Sequence, residues 1–206
     1  MISWINKAES RGSVSLTSAD PLAPPIVHLN YLSERTDLTR LMAAVRFTAR
    51  LMAANSLSGL IETAGPSSYS GFAKSLGRQT LRNYLLTAPV AAAIDMVPPM
   101  RRLFFRTMVS GNLSLADLLE DEAALEDYVR STAFGQWHVC GTCRMGPADD
   151  REAVIDPQTG AVHGIEGLHV ADASIMPTAP RANLNLPVIM LAEKMSDSIG
   201  SHIGSV

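Results

Sequence analysis

The chain has 206 residues, of which 47% are hydrophobic and 18% are charged, enough for one ordinary domain with a sizeable core. Its net charge of -3 and pI near 5.9 exclude the strongly basic surface typical of nucleic-acid binding. Residues 1–12 lack the basic start and apolar stretch of a secretory leader, so the default prediction for localisation is cytoplasmic.

The N-terminal part predicts two strands followed by a helix. Residues 11–16 and 26–32 alternate in polarity as strands of an antiparallel sheet do, with a turn at residues 18–21 between them. Thr36 and Asp37 then begin a helix. Its core-facing residues recur at helical spacing: Leu38, Leu41, Met42, Val45 and Met52.

The middle of the chain predicts loops and interrupted helices. Residues 56–77 are rich in glycine and serine, as loops are. Residues 79–109 are apolar and helical in parts, and Pro89 and the pair Pro98 and Pro99 are expected to break them. The apolar run is too short to span a bilayer, and the arginines at 101, 102 and 106 are better explained by contact with another domain than by a membrane surface. Residues 115–131 predict an acidic helix.

Residues 135–146, GQWHVCGTCRMG, carry the first candidate for catalysis. An imidazole takes up and releases protons near neutral pH, so His138 is a candidate general base. The alternative is that Trp137 and His138 fill core space at the end of a helix. Gly141 and Gly146 bracket a short run that is typical of sharply bent backbone, and this favours a functional loop.

Cys140 and Cys143 have the spacing of a thiol-disulfide motif, and His138 lies close in sequence. Two thiols and one imidazole leave a zinc site short of a fourth ligand, so no metal site is predicted. The strand and helix context of a thioredoxin-like motif is also missing. A thiol-redox module therefore remains as a minor alternative.

Residues 153–177 predict strands separated by turns. Asp156, Pro157 and Gly160 have the residue types of a tight turn, and residues 164–167 form a second turn. Residues 168–171 alternate as a half-buried strand does. Asp172 follows that predicted strand, at the position where ligands of α/β proteins tend to bind.

A last helix is predicted to start near Asn185, a residue suited to capping, with Pro187 in the first turn. Free N–H groups and the helix dipole make this end suitable for stabilising an anion, although an asparagine there also has a simple capping role. The predicted buried stripe comprises Val188, Leu191, Ala192, Met195 and Ile199.

Together these segments resemble one known family. WHVCGTCRMG, VIDPQTGAVHGIEGLHVADASIMP and NLNLPVIMLAEKMSDSI are similar in order and spacing to the C-terminal part of the glucose-methanol-choline (GMC) oxidoreductases, FAD-dependent enzymes that oxidise alcohols. The early stretch SRGSVSLTSADPLAPPIVHLNYLSERTDL resembles the substrate-binding region of the same family.

The resemblance implies a role for each matching residue. His138 corresponds to the catalytic histidine, Asn183 to a second active-site position that holds His or Asn, and Trp137 to a residue that lines the substrate pocket. Two further groups correspond to FAD-contacting positions: Asp172 with Ala173, and Asn183 with Asn185 and Leu186. In the chemistry so implied, His138 removes the hydroxyl proton as hydride leaves for FAD, and Asn183 holds the oxygen.

The resemblance also implies the architecture. The predicted fold class is α+β: an antiparallel substrate-domain sheet with flanking helices, plus a C-terminal strand and helix that would complete an FAD-binding α/β domain. Residues 1–136 would form part of the substrate-binding domain, and residues 137–206 the catalytic segment. The family's glycine-rich dinucleotide fingerprint is absent, which predicts a separate or missing N-terminal FAD-binding half. A noncatalytic fragment that does not hold FAD is the alternative.

Overall fold

The computed structural model describes residues 1–57, 59–61, 63–67, 79–110, 114–181 and 183–203. Its contacts form two compact units, residues 1–4 with 38–133 and residues 5–37 with 134–206. The assignment of residues 1–136 and 137–206 to separate functions stays a prediction. The loop-rich passage predicted over residues 56–77 lies largely outside the described residues.

The first unit is helical. Helix α1, Arg35–Met52, begins in the second unit and continues into the first, where Leu38 and Met42 are almost fully buried. The predicted acidic helix is two helices, because Asp121 accepts hydrogen bonds from the amides of Ala123 and Ala124 and so caps the second one. We call the helices that flank Asp121 α4, Leu115–Glu120, and α5, Glu122–Thr132; they bury Leu118, Leu125 and Val129.

Between α1 and α4 lie helices α2, Leu81–Met96, and α3, Pro98–Phe104. The prediction that Pro89 breaks the first of these was wrong: α2 continues through it. One proline removes a single backbone donor, and the strong helix formers Ala91, Ala92 and Ala93 follow it. Pro98 does start a new helix, at a position where no N–H is needed. Among the described residues, no helix has both the length and the apolar content to cross a bilayer.

The second unit opens with the predicted sheet. Strands β1, Ser13–Ser15, and β2, Ile26–His28, pair antiparallel with Val14 opposite Val27. Both strands are exposed along their length. The fold is thus a mixture of helices with a small antiparallel sheet.

The prediction of continuous strands over residues 153–171 was wrong. The segment contains isolated bridges, Met145 with Ile155, Ile155 with Val162, and Ala161 with His169, instead of continuous strands. Closely spaced turns leave too little straight backbone between them for a ladder. Gly160, Gly164 and Gly167 each have positive φ, which supplies the reversals at low steric cost.

The predicted turn at residues 156–160 is confirmed in detail. Asp156 Oδ1 accepts the amides of Gln158 at 2.8 Å and Thr159 at 2.9 Å, and the amide of Gly160 donates to the Asp156 carbonyl. These backbone donors, and the nearby His163, hold the pKa of Asp156 below its usual range. The turn is therefore stabilised by an ionised carboxylate.

Helix α6, Asn185–Ile203, closes the second unit and confirms the predicted C-terminal helix. All five residues of its predicted stripe are buried or half-buried, while Glu193, Lys194 and Asp197 are exposed. Met195 packs with Ile155 and Ile175 in the core of this unit. This packing holds α6 against the segment of isolated bridges that contains Ile155.

We expect Ile155→Ala to lower the free energy of unfolding of the second unit by about 2 to 5 kcal/mol, because it empties a fully buried site between Ile175 and Met195. Urea denaturation followed by circular dichroism measures the change. Ile165→Ala is the matched control, since Ile165 is 53% exposed and should change the free energy by no more than about 0.5 kcal/mol. Equal effects of the two substitutions would contradict this core assignment.

Candidate active site

His138 lies on an irregular segment that follows α5. Its side chain is exposed, and it has no hydrogen-bond partner among the described residues. The preceding Trp137 is 87% exposed and has a φ of 57°, a left-handed conformation that is uncommon for a bulky residue. The alternative that the two side chains fill core space is therefore wrong, and the candidate base is accessible.

Backbone hydrogen bonds fix the position of the segment that follows. The amides of Gly141, Cys143 and Met145 donate to the carbonyls of residues 173, 174 and 175 at 3.2, 2.9 and 2.8 Å. His138 is three residues from Gly141, so its Cα lies within about 11 Å of that anchor. We call residues 135–146 the histidine loop. The structure thus brings this loop beside the turn that holds Asp172 and Ala173.

Asp172 caps a short 3-10 turn, Ala173–Ile175, and does not follow a strand as predicted. Its Oδ1 accepts the amide and the hydroxyl of Ser174 at 2.8 and 2.5 Å. Asp172 is exposed, and its Oδ2 has no partner among the described residues. Buried Ile175 anchors the turn to the core. The turn is therefore firmly placed, with one acceptor atom facing outward.

The start of α6 carries the remaining predicted residues. Leu184 is buried, whereas Asn183, Asn185 and Leu186 are exposed. Leu186, Ile189 and Met190 are 75%, 49% and 65% exposed; since residues spaced by three and four share a helix face, they form a second apolar face near the helix N-terminus. We call Leu186, Ile189 and Met190 the outer face of α6.

The predicted site residues all belong to the second unit. Hydrogen bonds connect the histidine loop with the turn of Asp172 and Ala173, and the shared core connects that turn with α6 through Ile175 and Met195. The described hydrogen bonds do not join His138 to Asn183. The catalytic and FAD-contacting roles of these residues stay predictions.

Ion pairs that were not predicted from the sequence hold the end of the histidine loop. Arg144 donates to Asp150 at 2.9 Å and to Glu152 at 3.1 Å. The pKa of Arg144 is raised, chiefly by its hydrogen bond to Asp150. The pKa of Asp150 is lowered, first by the amide of Glu152 and then by Arg144. The signal in the sequence is that Arg144 and Asp150 lie on either side of the short turn at residues 148–149, which brings their side chains close together.

Both cysteines of the motif are free thiols and are half-buried. Burial raises the pKa of Cys140, and the positive charge of Arg11 offsets only part of that effect. Reactive thiols in such motifs have lowered pKa values. The environment of Cys140 therefore gives no support to a thiol-redox function.

A cavity of about 340 Å³ lies in the first unit, and none of its lining residues is a predicted site residue. Its lining is mainly apolar: Met52, Leu60, Ile61, Thr63, Arg101 and Phe105. It contains no general base, so it is not a candidate for the alcohol chemistry.

Comparison with known proteins gives consistent matches. Residues 8–192 match the family described as GMC oxidoreductase. The chain is 42% identical over 196 residues to a 5-(hydroxymethyl)furfural oxidase from Methylovorus sp. strain MP688, covering 95% of this chain and 30% of that protein. It is 33% identical to oxygen-dependent choline dehydrogenase 1 from Chromohalobacter salexigens, covering 94% of this chain and 26% of the relative.

Solved structures agree with these matches. A fungal aryl-alcohol oxidase aligns with a TM-score of 0.61 and 28% identity, over 94% of this chain and 24% of its own. The pyridoxine 4-oxidase from Mesorbium loti aligns with a TM-score of 0.60 at 21% identity, over 96% of this chain and 28% of its own, and shows the shared fold. The chain spans less than a third of the length of each of these four proteins.

Proposed function

Because the chain belongs to the GMC oxidoreductase family, we propose that it supplies the catalytic and substrate-binding part of an FAD-dependent enzyme that oxidises a primary alcohol. The observation that carries this proposal is the histidine loop: an exposed imidazole on a segment that is hydrogen-bonded to the turn of Asp172 and Ala173. Catalysis requires such a group to be both accessible and held in place.

His138 is the proposed general base. An imidazole nitrogen with no partner in the described structure is able to accept the hydroxyl proton of an alcohol. Removal of that proton builds negative charge on the oxygen and so favours departure of hydride from the adjacent carbon. Trp137, exposed beside it, is proposed to line the pocket and to exclude water from the alcohol.

Asn183 is proposed to hold the alcohol oxygen. Its amide offers two N–H donors, and the side chain is exposed next to the start of α6. A donor at this point would fix the direction of the reacting carbon and stabilise the oxygen as its charge grows.

The residues of the second unit fit FAD. The outer face of α6 is apolar and exposed, as suits the ring system of a flavin. Asp172 Oδ2 is an acceptor without a partner among the described residues, and the N-terminus of a 19-residue helix favours negative charge. FAD, when bound, accepts the hydride; we propose Asp172, Ala173, Asn183, Asn185 and Leu186 as the residues that contact it.

We further propose that the C-terminal segment and α6 complete an FAD-binding α/β domain whose other part is a separate or preceding polypeptide segment. The exposed outer face of α6 and the exposed Trp137 support this, because large exposed apolar side chains that cluster on a surface are usually covered in the working protein. The chain also matches only 30% of the Methylovorus relative and 26% of the choline dehydrogenase.

The proposal is tested in what we call the grafted enzyme. It joins this chain to the flavin-binding part of the Methylovorus 5-(hydroxymethyl)furfural oxidase, replacing the region that the chain matches. The expected result is bound FAD that is reduced when 5-(hydroxymethyl)furfural is added without oxygen. Choline, the substrate named for the other relatives, is added in a parallel experiment. Comparing the two rates of flavin reduction shows which of the two alcohols the grafted enzyme prefers.

In the grafted enzyme, Asn183→Ala should raise the barrier to flavin reduction by about 1 to 3 kcal/mol, roughly 5- to 150-fold in rate, because it removes one positioning hydrogen bond. Stopped-flow absorbance measures the rate constant. Asn183→His, which retains a donor at this position, is the matched variant and should lose less. If Asn183→Ala reduces flavin as fast as the parent, the positioning role is wrong.

A further inference from the structure

The histidine loop makes a close contact with Tyr31, a residue outside the predicted site. A Cβ atom on Gly135 would lie 1.9 Å from Tyr31 Oη and 2.8 Å from Tyr31 Cζ. The tip of the tyrosine ring therefore lies directly against the Gly135 backbone, in space that any other residue at 135 would fill. Gly135 is three residues before His138, and both contact residues belong to the second unit.

Backbone strain is concentrated at this contact. The described non-glycine residues with positive φ are Asn30 at 50°, Leu32 at 58° and Trp137 at 57°. Two of them flank Tyr31, and the third lies between Gly135 and His138. Such conformations cost free energy and persist only where surrounding contacts enforce them, often at functional sites.

The tyrosine side of the contact is itself tethered. The Asn30 side-chain amide donates to the Arg11 carbonyl at 2.9 Å, and the Ser33 amide donates to the Asn30 carbonyl at 3.4 Å. Tyr31 Oη has no hydrogen-bond partner among the described residues. The ring therefore acts by packing, from a turn whose own backbone is fixed.

We propose that Tyr31 is a positioning residue for His138. Its ring, seated on Gly135, holds the left-handed backbone of Trp137 and thereby sets the direction in which the His138 imidazole points. The inference rests on the proposed function, because it assigns Tyr31 to the same reaction. It needs no contact between Tyr31 and the alcohol or FAD.

The first test is a double-mutant cycle in the grafted enzyme. Tyr31→Ala and Gly135→Ala should each lower the limiting rate constant of flavin reduction about 10- to 100-fold while FAD content is kept, because a small displacement of a catalytic group is costly. In the Tyr31→Ala background the clash is relieved, so adding Gly135→Ala should cost no more than about twofold. Tyr31→Phe removes the hydroxyl but keeps the ring, whose Cζ would also lie 2.8 Å from a Cβ at Gly135, and should stay within about twofold of the parent.

Tyr84→Ala is the control, since Tyr84 is 68% exposed on α2. If Tyr31→Ala is no slower than Tyr84→Ala, or if the effects of Tyr31→Ala and Gly135→Ala simply multiply, the proposal is overturned.

The second test uses the chain by itself and does not depend on activity. Trp4→Phe leaves Trp137 as the only tryptophan, and its fluorescence anisotropy decay reports nanosecond motion of the loop. Tyr31→Ala should increase the amplitude of that motion, and Tyr31→Phe should not. Unchanged motion in Tyr31→Ala would refute the bracing contact even in an active grafted enzyme. A grafted enzyme that never reduces FAD, with the anisotropy result intact, would instead refute the proposed function.

Discussion

Replacing His138 by alanine is expected to lower flavin reduction by alcohol in the grafted enzyme by about 10²- to 10⁴-fold, the range that a positioned general base contributes. The imidazole is exposed and has no partner among the described residues, so the substitution removes no buried contact. FAD content and thermal stability should therefore stay close to those of the parent. A loss of rate without a loss of FAD assigns the effect to proton removal.

His28→Ala is the matched control, because His28 is an exposed histidine on β2 to which no catalytic or FAD-contacting role is assigned. It should reduce flavin at the parent rate. The assignment of His138 fails if His138→Ala and His28→Ala give equal rate constants, or if His138→Ala loses activity only in proportion to lost FAD.

Asp37→Ala is expected to lower the free energy of unfolding by about 3 to 5 kcal/mol, since it deletes several hydrogen bonds to one buried charge. Asp37 is 1% exposed. Its Oδ2 accepts the Ser10 amide at 2.8 Å and the Ser10 hydroxyl at 2.7 Å, and both oxygens accept the Glu9 amide at 3.0 Å. The Ser10 hydroxyl in turn accepts the Glu34 amide. The carboxylate thus ties residues 9 and 10 to the start of α1.

Urea denaturation followed by circular dichroism measures this loss. Asp127→Ala removes an exposed carboxylate from α5 and should change the free energy of unfolding by about 0.5 kcal/mol or less. Asp37→Asn, which keeps one acceptor oxygen, should fall between the two. Comparable stabilities of Asp37→Ala and Asp127→Ala would show that the buried carboxylate is not a main contact.

Local patterns in the sequence predicted α6 and the turn at residues 156–160. The spacing of Val188, Leu191 and Met195 predicts both α6 and its buried side, because a helix places those residues on one face. The turn at Asp156 is predicted correctly because aspartate and glycine satisfy its geometry locally. His138 and the segment around Asp172 were singled out by residue type and by the family resemblance. Hydrogen bonds join the two loops, and the roles of these residues stay predictions.

Features that depend on distant partners could not be predicted. Asp37 is recognisable as a residue of a first helical turn, but its burial depends on residues 9 and 10, 27 or more positions away. The segment around Ile155 forms isolated bridges instead of strands because closely spaced turns leave little straight backbone between them. Alternation of polarity along the sequence does not reveal how closely the turns are spaced. The contact of Tyr31 with Gly135 likewise joins segments about a hundred residues apart.

If this chain supplies the catalytic part of an FAD-dependent alcohol oxidoreductase, an alcohol must reduce the FAD of the grafted enzyme. The most direct measurement is the visible flavin absorbance of the FAD-loaded grafted enzyme after anaerobic mixing with 5-(hydroxymethyl)furfural. We expect the absorbance of oxidised flavin to be lost in the parent and to be retained in the His138→Ala variant over the same time. Stoichiometric FAD that remains oxidised with 5-(hydroxymethyl)furfural, choline and other primary alcohols alike would contradict it.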